Sequence, residues 1–166
     1  MSGSPNACRA GRASRSSKPN VYLLDTNVVS EMKRISAGHG HAQVAHWLGQ
    51  VEDSALYLSA ITVLELELGC LLMERRDKSQ GEVLRRWLGG LLDRYRDRII
   101  AIDLAVATRA AALHVPDPRE SHDALIAATA LTHRYAVVTR NVSDFAMEGL
   151  EVINPWTVGA AHHEHE

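Results

Sequence analysis

The sequence predicts an α/β fold, with a central parallel sheet of about four to five strands and helices on both faces. Three observations lead there. Short apolar runs of strand length alternate with longer segments whose apolar residues recur at helical spacing. Strands separated by helices pair in parallel and are covered on both sides. Polar residues stand where one element gives way to the next, above all Asp25, Asp123, Asn141 and Asp144. Right-handed crossovers bring such junctions to one edge of the sheet, where folds of this class bind ligands.

The elements follow in order. Residues 21–24 are four apolar residues that end on Asp25, a first strand. Helical patterns cover about 27–34 and 41–50, and residues 56–59 form a second strand. Ile61, Leu64, Leu68, Leu71 and Leu72 recur at helical spacing and predict a long helix. Gly81 is expected to open the next, with Val83, Leu84, Trp87, Leu88, Leu91 and Leu92 on its apolar side. Residues 99–102 are a third strand and 104–114 an Ala-rich helix, which Pro116 and Pro118 terminate. Ser121 is expected to cap a helix reaching about residue 134, apolar nearly all round and therefore buried. Residues 136–139 and 152–153 complete the sheet.

Composition bounds the rest. The chain of 166 residues is 46% hydrophobic, enough for one domain with one core. Residues 20–157 are read as that domain. Residues 1–19, with Arg9, Arg12, Arg15 and Lys18 and no acid, read as a disordered basic tail. They lack the apolar centre of a secretory signal. Residues 158–166, with His162, His163 and His165, read as a second disordered tail. Cys8 and Cys70 form neither a disulfide framework nor a metal-ligand spacing, which suits the cytoplasm. No apolar run approaches the ~20 residues that span a bilayer. A net charge of -2 gives no global pull on nucleic acid, so any such site is local. Arg75, Arg76, Lys78, Arg85, Arg86, Arg94, Arg96 and Arg98 are candidates for a phosphate-contacting rim, or for a solvated helix face.

The acids carry the chemistry. Asp25 directly follows four apolar residues, so it is expected to be partly desolvated. Glu65 shares a helix face with Ile61 and Leu68, where a lone carboxylate is costly unless paired or metal-bound. Glu67 points elsewhere and is expected in solvent. Asp123 opens the buried helix. Asn141 and Asp144 both follow the fourth strand, and either is able to reach the same pocket, though turn formation explains them equally. Three carboxylates with a fourth oxygen ligand suit Mg²⁺ or Mn²⁺. No phosphate-cradling glycine loop follows the first strand. A phosphatase with an aspartyl nucleophile would need a second Asp where Asn27 stands.

Four segments together resemble the PIN-domain ribonucleases, and among them the VapC toxins of bacterial toxin–antitoxin pairs. They are Leu23-Leu24-Asp25-Thr26-Asn27, the stretch from Ser59 to Gly69, the stretch from His122 to Ala130, and the stretch from Val138 to Phe145. Asn154-Pro155-Trp156 closes the likeness, which spans about residues 20–157. The resemblance implies a PIN-like fold and metal-assisted hydrolysis of RNA, with Mg²⁺, or Mn²⁺, held by Asp25, Glu65 and Asp123. The family's fourth acid falls at or near Asn141, an amide here, with Asp144 three residues on. Thr26, Asn27 and Thr139 would support the acids. The resemblance also implies a homodimer and a cognate antitoxin laid in an apolar groove, to which the helical faces between Leu64 and Leu92 would contribute, although the core of the chain itself is expected to take most of those residues. The alternatives are an RNA-processing nuclease without antitoxin and a PIN-like protein that binds nucleic acid or a partner without cutting.

Overall fold

The computed structural model describes residues 21–157, so both expected tails, 1–19 and 158–166, lie outside the described residues. Five strands form one sheet: β1 (Tyr22–Leu24), β2 (Leu56–Ser59), β3 (Ile99–Ile100), β4 (Ala136–Val138) and β5 (Val152–Ile153). Their order is β3-β2-β1-β4-β5, and every neighbouring pair is parallel. Six helices connect them: α1 (Thr26–Ser36), α2 (Ala42–Gln50), α3 (Ala60–Arg76), α4 (Lys78–Arg94), α5 (Leu104–Leu113) and α6 (Ser121–His133). The chain builds outward from β1 to β3, then returns to the other side of β1. The order of strands therefore reverses between β1 and β4, which opens a crevice beyond their carboxyl ends.

Strand alternation assigns the two faces. Leu24, Leu58 and Val138 point to one side, into a core with Val28, Trp47 and Leu88 from α1, α2 and α4. Leu23 and Val137 point to the other, against Ile126, Ala127 and Ala130 of α6 and against Phe145. Each fully buried Leu or Val contributes about 1.5–3 kcal/mol by leaving water. Helix α6 is buried along Ala124 and from Ile126 to Ala130, as its apolar sequence predicts. Among the described residues no helix is long and apolar enough to cross a membrane.

The structure corrects five expectations. Helix α4 begins at Lys78 rather than Gly81, because the Asp77 carboxylate accepts from Gln80 N (3.1 Å) and caps it earlier. Helix α6 is capped by Glu120, whose Oε2 accepts from Asp123 N (2.8 Å), so Ser121 is its first helical residue. Glu67 is not left to solvent, since Arg85 bridges it to Glu74 across the α3–α4 hairpin. The apolar stripe of α3 is mostly left open, with Ile61 alone of its five residues buried. Leu64, Leu68, Leu71 and Leu72 stay exposed, whereas α4 buries Leu88 and Leu91.

The arginines are the fifth correction. Arg94 and Arg98 both pair with Asp53, and Arg98 also donates to the Leu56 carbonyl (2.9 Å) at the start of β2. That is the amino edge of the sheet, opposite the crevice. Arg96 pairs with Asp93. These side chains close the fold rather than line a rim. Arg75, Arg76, Lys78 and Arg86 remain exposed.

Two glycines of α4 separate close packing from open surface. A Cβ on Gly81 would sit 2.5 Å from Glu74 Cα, whereas one on Gly89 would meet nothing within 4 Å. Gly81→Ala is therefore expected to cost about 1–3 kcal/mol by prising α3 from α4. Gly89→Ala is expected to stabilise by about 1 kcal/mol through helix propensity. Urea denaturation of both variants checks the pair, and equal effects would refute this packing account.

Candidate active site at the carboxyl edge of the sheet

Asp25 lies where β1 ends and α1 begins, 6% exposed. Its own N–H continues the sheet by donating to the Val138 carbonyl (2.9 Å). Oδ1 accepts from Thr26 N (2.8 Å), which caps α1. Oδ2 accepts from the Thr139 hydroxyl (2.8 Å) and more weakly from Asn27 Nδ2 (3.3 Å). Burial raises the Asp25 pKa, the Thr139 and Thr26 hydrogen bonds partly offset this, and the Asp144 charge raises it again. Thr139 is fully buried and also accepts from Asn141 N (3.0 Å), so one hydroxyl joins Asp25 to the turn after β4.

The other acids enter from neighbouring elements. Glu65 projects from the first turns of α3, half-buried rather than enclosed, because Leu64 and Leu68 beside it are open to solvent. Burial raises its pKa, and the charges of Asp25 and Glu120 add to the rise; Thr26 and His122 oppose it. His122 Nδ1 lies 3.9 Å from Glu65 Oε1. Asp123 is pushed up to about 6 by burial first, then by Glu120, Asp25, Asp144 and Glu65.

The sheet thus brings Asp25, Glu65 and Asp144 within electrostatic reach of Asp123, and Asp25 within reach of both Glu65 and Asp144. Asn141 is exposed, and its backbone N–H rather than its amide engages the site. Glu120 is the acid that sequence reasoning missed. Its signal was present as an acid three residues before Asp123 at a helix start, but Ser121 took the capping role in that reading.

Among the described residues, no three His, Cys, Asp or Glu side chains already converge as a bound metal requires. The donor set nevertheless fits a hard divalent cation. It offers oxygen only, and its carboxyl groups raise one another's pKa, a repulsion that a cation relieves. The Thr26 hydroxyl is buried and makes no hydrogen bond of full geometry, yet it lies close enough to Glu65 to oppose the rise in that residue's pKa. Asp25, Glu65 and Asp123 would hold such an ion, with Asp144 adding charge.

The raised pKa has a stability consequence. Between the ordinary value of 3.8 and about 6, the folded Asp123 binds more proton than the unfolded one. Its contribution to stability therefore falls as pH rises through that window. Asp123→Asn in EDTA is expected to melt higher than the parent at neutral pH. The gap should close on acidification toward the lower value. Thermal melts across that range test this, and equal melting temperatures at neutral pH would count against the repulsion.

Comparison with known proteins identifies the family. The PIN domain model matches residues 22–146, a stretch that holds every acid named above. Plasmid stability protein StbB of Pseudomonas syringae pv. tomato is 39% identical over 147 residues, covering 82% of this chain and 99% of the relative. VapC ribonuclease Y4jK of Sinorhizobium fredii is 34% identical over 148 residues, covering 82% and 98%. Among solved structures, FitAcB from Neisseria gonorrhoeae aligns with a TM-score of 0.72 at 35% identity, covering 82% of this chain and 99% of that one. A toxin–antitoxin complex from Klebsiella pneumoniae aligns with a TM-score of 0.59 at 28% identity, covering 81% and 97%. With the sheet order, the acidic crevice and a family match across three quarters of its length, this chain belongs to the PIN domain family.

Proposed function

We propose that the protein is a Mg²⁺-dependent endoribonuclease, the toxin of a toxin–antitoxin pair, acting on RNA in the cytoplasm. The observation that carries the reading is the set of mutually repelling carboxylates at the strand-order reversal. Relatives named as a VapC ribonuclease and solved as a toxin–antitoxin complex support it.

Asp25, Glu65 and Asp123 would bind the ion, with Mn²⁺ as an alternative metal. Of the two candidates for a fourth position, Asp144 is favoured, because its charge reaches both Asp25 and Asp123 while Asn141 adds none. When bound, the metal lowers the pKa of a water and offsets charge on the scissile phosphate. The chain's own contribution is orientation. Thr26 N–H, Thr139 and Asn27 hold the Asp25 carboxylate in one orientation, and burial keeps water from competing for it. Such fixed geometry is a large part of what an active site supplies.

Two surfaces support the partners. The exposed leucines of α3 offer an apolar stripe suited to a second copy of the chain. A cavity of about 230 Å³ between α1, α2 and the end of α4 has Met32, Ile35, Leu48 and Leu56 in its lining. Asp53 and Arg94 also line it, so it is suited to an antitoxin side chain with an apolar body and a polar tip.

Asp25→Ala is expected to lower RNA cleavage by at least about 100-fold, roughly 3 kcal/mol of transition-state stabilisation, with the fold retained. Purified protein, total RNA and Mg²⁺, with an EDTA control, test the reading. Cleavage that survives either the substitution or the chelator sinks it. Leu68→Glu is expected to convert a dimer to a monomer in sedimentation. A dimer that persists places the contact elsewhere.

A further inference from the structure

The acidic crevice has to hold a polyanion, yet among the described residues no arginine forms an ion pair with Asp25, Glu65 or Asp123. Most of the paired arginines are committed to the α3–α4 hairpin or to the amino edge of the sheet. Arg119 precedes α6 but turns its guanidinium back onto the Leu113 carbonyl (3.1 Å). Arg140 differs from all of these. It is exposed, makes no ion pair among the described residues, and follows Thr139 directly.

Its position is built rather than incidental. Arg140 N donates to Asn27 Oδ1 (3.3 Å), while Asn27 Nδ2 donates to Asp25 Oδ2 (3.3 Å). One amide therefore spans Arg140 and the central acid. On the neighbouring strand, Thr139 N donates to the Ile153 carbonyl (2.9 Å), which extends the β4–β5 pairing to the crevice edge. The chain then turns at Asn154, whose Oδ1 accepts from Trp156 N (3.0 Å). This turn sets the half-buried indole beneath the Arg140 guanidinium, 5.5 Å from ring centre to Cζ. Trp156 packs against the core on the α1–α4 side of the sheet, so the ring is anchored.

We propose that Arg140 and Trp156 form the platform that receives one nucleotide of single-stranded RNA beside the carboxylates, with Arg140 holding its phosphate. The inference rests on the ribonuclease reading. A guanidinium on an aromatic face is flat, weakly hydrated and permanently charged. It can take a phosphate in a fork of N–H donors, and a guanidinium–indole pair offers a stacking surface to a base. An unpaired strand presents both groups side by side, whereas a duplex hides its base faces within its own stack. The platform lies on the same edge as the acids, so a phosphate held there directs the chain toward them.

The test uses the full-length protein free of any partner, in an Asp123→Asn background that does not cut, with Mg²⁺ and a labelled single-stranded RNA of mixed sequence. Binding is followed by anisotropy over a range of salt. Arg140→Ala is expected to raise Kd by about ten-fold and to reduce the slope of log affinity against log salt by about one. Arg140→Lys, which keeps charge but not the flat stack, should retain most of the slope while still binding more weakly. A loss of packing alone would leave the slope unchanged. Arg140→Ala with parental Kd and slope overturns the platform, as does equal affinity of the parent for duplex RNA. If wild-type protein cuts no RNA and the parent binds none, the ribonuclease reading itself has failed.

Discussion

The 2.8 Å hydrogen bond from the Thr139 hydroxyl to Asp25 Oδ2 joins β1 to β4 where the strand order reverses. Much of the site depends on it. The same oxygen of Thr139 takes Asn141 N, so the turn after β4 is referenced to Asp25. That turn leads into the 3-10 helix Val142–Phe145, which carries Asp144 to the crevice and buries Phe145 in the second core. A buried carboxylate with three donors has little rotational freedom. Its neighbours on α3 and α6 are arranged around a fixed charge rather than a mobile one.

That charge is expensive. A buried acid costs stability unless something offsets it, and here the first offsets are hydrogen bonds, not cations. Asp123 shows the residue of the cost in a pKa of about 6, set by burial and then by four surrounding acids. The two apolar cores on either side of the sheet supply the stability that lets such a site persist. Strain of this kind is common where chemistry needs a charge placed before its partner arrives.

Much of the architecture was legible in the sequence, for identifiable reasons. The strands are short runs of Leu, Val and Ile with both faces covered, so they read as continuous apolar stretches. Helix α6 read correctly because its apolar run leaves no polar face. Asp25 and Asp123 were expected at helix starts, and they stand there because a polar residue ends each apolar run or opens the next helix. What failed was local competition and long-range pairing. Asp77 starts α4 ahead of Gly81, and Glu120 takes the capping role that Ser121 had been given, since capping depends on side-chain reach as well as residue type. Asp53 claimed two arginines more than forty residues away, a pairing no sequence window contains. The α3 leucines were expected mostly inside, but periodicity marks an apolar face without saying what covers it.

Glu120 carries one more consequence. The first turn of a helix points unpaired N–H groups outward and is a ready seat for an anion. In α6 that seat is taken, because Glu120 places its own carboxylate on Asp123 N and its pKa is lowered by the backbone donors of Asp123, His122 and Ser121. The chain carries its own counter-anion, a built-in occupant of the position a free phosphate would seek. The amino end of this helix is thereby closed to passing anions, and its electrostatic character is turned from receptive to repellent.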